Sequence, residues 1–205
     1  MLVHLTNFQN SVADARGMVS NAHQKDAVGA YIWHSAARSM FVESSFMKIF
    51  ISWETFLEKT FIEYMLGNAS ILGNNIPRYV NPIDATHANN FLIGRQQYVD
   101  WSTPDIVRRL AKLYFANGEP YESGLASIHS DLLDLKTIRN ASSHMSSTTT
   151  AALDALASRK LQTTITGCTP ASLLLAMDPN SVASSTFLNG YCDQLDSAAN
   201  SIASA

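Results

Sequence analysis

Apolar residues recur at spacings of three and four along the first third of the chain, as on one face of an α-helix. A first helix is predicted over residues 6–25. A second stretch, residues 27–66, contains no proline and predicts one long helix, or two nearly collinear ones, ending near Gly67 and Asn68. The apolar positions of its second half, which we assign to the core, are Phe46, Ile49, Phe50, Trp53, Leu57, Phe61 and Tyr64.

Turn formers and helix-start signals divide the rest of the chain. Residues 68–102 are rich in Gly, Asn and Pro and predict a long connection, with a short helix within 84–100. The run Thr103-Pro104-Asp105 predicts a helix start, because it combines an N-cap, a proline at the first helical position and an acid facing the helix dipole. That helix should end near Asn117. Further helices are predicted over 123–145, 151–160, 170–177 and 184–203, with residues 146–150 as a break.

The pattern predicts an all-α fold. We find no strand-like alternation of any length and no internal repeat. The expected architecture is an up-and-down helical bundle with one long second helix and extra C-terminal helices. A chain of 205 residues with 46% apolar and 15% charged residues fits one globular domain, residues 1–205.

Composition narrows the function classes. A formal net charge of −3 is unlike an extended nucleic-acid-binding surface, so any RNA contact should be local or built between subunits, and no DNA binding is predicted. Cys168 and Cys192 are far apart in sequence and suggest a reducing compartment. With no signal-peptide pattern and no membrane-length apolar run, we expect a cytoplasmic protein. Motifs for metals or nucleotide cofactors are absent, so no metal and no cofactor is predicted.

The motif Arg139-Asn140-x3-His144 is the strongest candidate for chemistry. It combines a permanent cation that can hold a phosphate, an amide, and an imidazole that can pass protons near neutral pH. Arg16 and His23 show a similar spacing without a polar residue after the arginine, so the spacing alone is weak evidence. The asparagine and the position late in an amphipathic helix distinguish Arg139.

On a helical wheel the motif occupies two faces. Arg139 continues an apolar stripe of the helix, whereas Asn140 and His144 are one turn apart on another face. Either Arg139 reaches around the helix on its long side chain, or two copies of the helix share one site. The stripe consists of Ile128, Leu132 and Leu135, and the second face also carries Leu133 and Thr137.

This motif, late in an all-helical chain, resembles the R-N-x(3–5)-H signature of the HEPN superfamily (higher eukaryotes and prokaryotes nucleotide-binding domains). The run Ser52-Trp53-Glu54-Thr55-Phe56-Leu57-Glu58 resembles the W-E-x-F-L-E run of its RiboL-PSP-HEPN branch. The C-terminal part is also similar, with Thr169-Pro170 leading to Asp178-Pro179-Asn180 and a final helix. The resemblance covers most of the chain and implies a single HEPN-like helical domain.

The resemblance implies a metal-independent endoribonuclease, often a toxin or phage-defence protein, with its site at a homodimer interface. His144 would act as general base or acid on the RNA 2′-hydroxyl, Arg139 would stabilise charge on the phosphate, and Asn140 would orient the group. The products would carry a 2′,3′-cyclic phosphate and a 5′-hydroxyl. An antitoxin protein is the regulatory partner that such a toxin would have.

Less specific interpretations stay open beside this one. Arg139 could be a structural arginine paired with Glu54 or Glu58, and these two glutamates would then support the site. His144 could interact only with the dipole at the end of its helix. The basic residues Arg95, Arg108, Arg109 and Lys112 are more typical of a solvated helix face than of an RNA-binding surface. The alternative function is a catalytically inactive helical bundle that serves as an interaction or nucleotide-binding module.

Overall fold

A computed structural model describes residues 1–94, 98–144, 146–182 and 184–205, and it confirms the all-α bundle. Within these ranges the chain forms nine α-helices and one 3-10 turn, and isolated bridges are the only β structure. The helices are α1 Leu2–Ala22, α2 Ser35–Leu66, α3 Ala85–Ile93, α4 Pro104–Tyr114, α5 Tyr121–Ala126, α6 His129–Ser143, α7 Ser147–Leu161, α8 Pro170–Leu175 and α9 Phe187–Ala203. None of these helices is long and apolar enough to span a membrane.

The helices group into two compact units, each made of separate chain segments. The first unit contains residues 1–9, 52–133 and 194–205, and the second contains residues 10–51 and 134–193. Helices α1, α2, α6 and α9 each contribute residues to both units.

Aromatic side chains form the core of the first unit. The ring of Phe61 lies with its centroid 4.8 Å from that of Tyr121, 4.9 Å from Phe115 and 5.5 Å from Trp101. The hydroxyl of Tyr121 donates to Thr60 Oγ1 at 2.9 Å, which satisfies a polar group that has no access to water. Burial raises the pKa of Tyr121 well above its usual value, so this hydroxyl keeps its proton. All seven core positions predicted for α2 are at most 2% exposed, so that prediction is confirmed.

A buried carboxylate joins three helices in the second unit. Asp134, on α6, has a side chain only 5% exposed. Its oxygens receive Arg159 Nη2 at 2.5 Å and Lys160 Nζ at 2.8 Å, both from α7. The hydroxyl of Tyr191, on α9, lies 3.5 Å from Oδ2. A buried charge is tolerated when it is paired and hydrogen-bonded in this way, so the pairing constrains how α6 packs.

Helix α2 begins at Ser35, so the prediction that it starts near residue 27 is wrong. The side chain of Asp26 accepts hydrogen bonds from the backbone N–H groups of Val28 and Ala30, each at 2.9 Å. Gly29 adopts a φ of +84°, which a helix cannot contain. These local bonds compete with helix formation, and residues 23–34 therefore form a loop.

The predicted helix over 123–145 is divided, because α5 ends at Ala126 and α6 begins at His129. At the break, the hydroxyl of Ser127 donates to the Gly124 carbonyl at 2.8 Å, a local bond that competes with the helical pattern. Gly124 also allows close approach of α9, because a Cβ there would lie 2.8 Å from Ile202 Cγ1. Residue 145, the predicted end, lies outside the described residues.

Residues 147–150 belong to helix α7, so the predicted break at 146–150 is wrong except at its first residue. Ser146 is the N-cap, and its hydroxyl accepts the backbone N–H of Thr149 while the Thr149 hydroxyl accepts the backbone N–H of Ser146. Such a capping box starts a helix, which explains how a run of hydroxyl residues extends α7. The ends of α1, α4, α8 and α9 differ from the predicted ones by about one turn.

Candidate active site at the end of helix α6

Helix α6 places the predicted motif where the helix meets solvent. Arg139 and Asn140 are half-buried in the last turns, and His144 is exposed directly after the final helical residue, Ser143. The apolar stripe below Arg139 is buried as predicted, with Ile128, Leu132 and Leu135 at most 4% exposed. Arg139 therefore follows a buried apolar stripe and is itself partly accessible to solvent.

The guanidinium of Arg139 turns towards the Asn140 face of the helix. Its Nη1 donates to Asn140 Oδ1 at 3.3 Å. This bond reaches only the neighbouring residue, so whether Arg139 shares a target with His144 within one chain or across two copies stays a prediction. Because the amide oxygen accepts from the cation, the amide nitrogen of Asn140 is the atom that can donate to another group. Arg139 and Asn140 form a donor pair at the helix end.

The backbone of His144 is held from both sides. Its N–H donates to the Asn140 carbonyl at 2.9 Å, which continues the helical pattern. Its carbonyl accepts the hydroxyl of Thr149 at 2.6 Å, from the first turn of α7. The imidazole projects from this fixed backbone at an exposed position, where it can exchange protons with a ligand.

One side-chain contact joins this end of α6 to α2 in the second unit. Ser143 Oγ lies 3.9 Å from Met47 Sδ. Ser142 Oγ donates to the Ile138 carbonyl at 3.0 Å, so its hydroxyl is occupied by its own helix. The last turn of α6 is therefore packed against α2 through the side chain that precedes His144.

Glu54 and Glu58 lie on the part of α2 that belongs to the first unit. Both are half-buried, and Glu58 Oε1 receives Lys59 Nζ at 3.3 Å. Within its own unit, Arg139 has no carboxylate partner among the described residues. The pairing of Arg139 with either glutamate stays a prediction.

The basic residues of α4 are engaged in ion pairs within the first unit. Arg108 donates to Glu122 through Nε at 3.1 Å and through Nη2, and Lys112 Nζ lies 3.1 Å from the same carboxylate. Arg109 is exposed. These pairs match the interpretation as a solvated helix face, and contact with RNA stays a prediction. Arg95 lies outside the described residues.

Two features of the site were not identified from the sequence. Asp134, five residues before Arg139, is the buried anchor of α6, and Thr149 holds the backbone of His144. The pattern Ser146-x-x-Thr149 resembles a capping box with threonine at its last position, and this signal could have identified the start of α7. Across the described ranges, no three His, Cys, Asp or Glu side chains form a group that could hold a metal ion.

Comparisons of this chain with protein-family models, with curated proteins and with solved structures found no match.

Replacing Thr149 with Val should loosen the backbone of His144. The variant keeps the side-chain shape but loses the hydroxyl that serves Ser146 and His144, and we expect a loss of about 1 kcal/mol in unfolding free energy. Urea unfolding measures the loss, and amide hydrogen exchange at His144 and at residues 146–149 should become faster. Thr148→Val, one residue earlier and exposed, is the matched control. Equal stability of the two variants would contradict the capping role.

The stability of the first unit should depend on Glu122 at acidic pH. Hydrogen bonds from Arg108 and Lys112 lower the pKa of the Glu122 carboxyl from 4.5 to about 2. A lowered pKa stabilises the fold above pH 4.5, and this contribution disappears as the pH falls towards 2. Between pH 5 and pH 2.5 the wild type should lose up to about 1 kcal/mol more than Glu122→Gln, because partial exposure screens the pair. Identical losses by urea unfolding would exclude this contribution.

Proposed function

We propose that this protein is a metal-independent endoribonuclease whose active site consists of Arg139, Asn140 and His144. The observation that carries the proposal is the hydrogen bond from Arg139 Nη1 to Asn140 Oδ1 at 3.3 Å, one helical turn before an exposed histidine. It supports the proposal because a phosphate-binding cation and a proton-transfer group share one helix end.

In the proposed reaction, the imidazole of His144 removes the proton from an RNA 2′-hydroxyl. The 2′-oxygen then attacks the adjacent phosphorus, and the bond from phosphorus to the 5′-oxygen breaks. The departing 5′-oxygen takes a proton from an imidazolium. One product ends in a 2′,3′-cyclic phosphate and the other begins with a 5′-hydroxyl, so no water is consumed in this step. An imidazole suits both transfers because it exists in both protonation states near neutral pH.

Arg139 stabilises the charge that accumulates on the phosphate oxygens during this attack. A guanidinium carries five N–H donors, and one of them is directed to Asn140. The others are available to hold the non-bridging oxygens as a planar fork. Asn140 positions the guanidinium through its amide oxygen and can orient the reacting group through its amide nitrogen. This arrangement performs charge stabilisation by preorganised donors.

A second copy of the chain completes the proposed site. One imidazole cannot be deprotonated to act as base and protonated to act as acid in the same step, whereas two copies of His144 supply both forms. His144 is exposed and Asn140 is half-exposed at the end of α6, so both are accessible to a second copy. The biological role that we propose is a toxin or phage-defence effector in the cytoplasm, restrained by an antitoxin protein.

The test is cleavage of mixed RNA by the purified protein in excess EDTA. Wild-type protein should cleave, and His144→Ala should lose at least about 100-fold in rate, the usual contribution of a proton-transfer group. His129→Gln is the matched control, because His129 is the first residue of the same helix and pairs with Asp105 at 3.0 Å. Intact RNA with the wild type would exclude the nuclease and favour the inactive helical module, and equal cleavage by His144→Ala would exclude His144 as the source of the activity.

A mixing arm of the same assay tests whether the site is shared. An excess of His144→Ala protein added to wild type should lower the cleavage rate well below that of wild type diluted with buffer, because mixed dimers lack one imidazole. A rate that follows only the wild-type concentration would indicate a site complete within one chain.

A further inference from the structure

The second unit contains a groove that none of the proposed catalytic residues lines. It lies between the later part of α1 and the start of α2, and its volume is about 590 Å³. Ligand sites for small organic molecules have volumes of this order. All of its lining residues belong to residues 10–51, so the groove is complete within one unit.

An aromatic pair, the exposed Trp33 and the half-buried Phe41, forms one wall of this groove. Trp33 is 45% exposed, although an indole is usually buried, and its ring lies edge to face with Phe41 at a centroid distance of 5.3 Å. On the α1 side, Gly17 leaves room, because a Cβ there would meet nothing within 4 Å. An exposed indole that borders open space is suited to stacking against a planar ring.

The polar groups of the groove select for a neutral ligand. Lys48 Nζ and Asp14 Oδ2 are 2.9 Å apart, so their charges cancel and an anion placed here would meet a carboxylate. Each group keeps hydrogen-bonding capacity, since the ammonium has three donors and the carboxylate has two oxygens. The amide nitrogen of Asn21 adds a donor, whereas its oxygen accepts Gln24 Nε2 at 3.1 Å. A planar ligand with donors and an acceptor along one edge satisfies these groups.

Guanine fits this description better than the other RNA bases. Its Watson–Crick edge presents two adjacent donors, at N1 and N2, followed by the O6 acceptor. The donors match the Asp14 carboxylate and O6 matches the Lys48 ammonium, as carboxylates and lysines pair with bases elsewhere. Adenine offers only one donor to the carboxylate, and uracil offers one donor between two acceptors.

The end of α6 that carries the proposed active site contacts α2 at Met47, the residue before a lining residue of the groove. Ser143, directly before His144, contacts Met47, and Lys48 of the groove is the next residue along the chain. Both sites are within the second unit. For the groove to take part in substrate binding, an RNA strand whose phosphate is at Arg139 must place one of its unstacked bases in this groove.

We propose that this groove binds one unstacked guanine of an RNA substrate, with the base stacked on Trp33 and its edge read by Asp14 and Lys48. The role of the groove in choosing an RNA substrate rests on the proposed ribonuclease function. Binding of guanine to the groove can be measured independently of RNA cleavage. It predicts that the enzyme cleaves RNA next to guanine in single-stranded regions.

The test is an NMR titration with GMP, AMP, CMP and UMP that follows the indole N–H signals of the three tryptophans. The Trp33 signal, identified by its absence in Trp33→Ala, should shift and saturate with GMP at the lowest concentration. Asp14→Asn should raise the GMP midpoint at least about fivefold, the effect of losing one good base-edge contact. Ile32→Ala, next to Trp33 and outside the groove lining, is the matched control and should bind GMP like wild type.

Several outcomes would overturn the proposal. These are an unchanged Trp33 signal with all four nucleotides, equal midpoints for the four, or a guanine preference that survives in Asp14→Asn. The two proposals fail separately. RNA cleavage in EDTA without a Trp33 shift would contradict the guanine site but support the nuclease. A GMP-dependent Trp33 shift without RNA cleavage would contradict the nuclease but support the guanine site.

Discussion

The buried carboxylate of Asp134 is the constraint on which the proposed site depends. It lies in the middle of α6 and is neutralised by Arg159 and Lys160 of α7, with Tyr191 of α9 beside it. Separating a buried charge from its partners costs several kcal/mol, so these three helices are held in one arrangement. This arrangement fixes the position of the C-terminal end of α6 and therefore the position of Arg139. It also fixes the start of α7, where the Thr149 hydroxyl donates to the His144 carbonyl.

The fold class followed from the sequence because helical periodicity is a local property that α2 and α6 show clearly. The helix boundaries could not be predicted from the sequence pattern, because they depend on single hydrogen bonds. The Asp26 side chain converts residues 23–34 into a loop, and the Ser127 hydroxyl accompanies the break between α5 and α6. The predicted break at residues 146–150 is instead the start of α7, because the capping box of Ser146 and Thr149 begins a helix there.

The candidate site was only partly predictable for the same reason. The wheel predicts Arg139 on the apolar stripe and Asn140 on another face, and in the structure the stripe is buried while both polar residues are half-buried. It could not show that the long arginine side chain crosses between the two faces to reach the amide, because a rotamer depends on tertiary packing. Similarly, the Lys48–Asp14 pair joins positions 34 residues apart, and no local pattern indicates that they meet.

The chemistry assigned to Arg139, Asn140 and His144 is tested most directly by the ends of the RNA fragments that the protein produces in EDTA. Mass spectrometry of those fragments should find 2′,3′-cyclic phosphates and 5′-hydroxyls, because the account makes the 2′-oxygen the nucleophile. Fragments with 5′-phosphates and 3′-hydroxyls would show that water attacks instead. That result would contradict the proposed role of the imidazole, even if the RNA were cleaved.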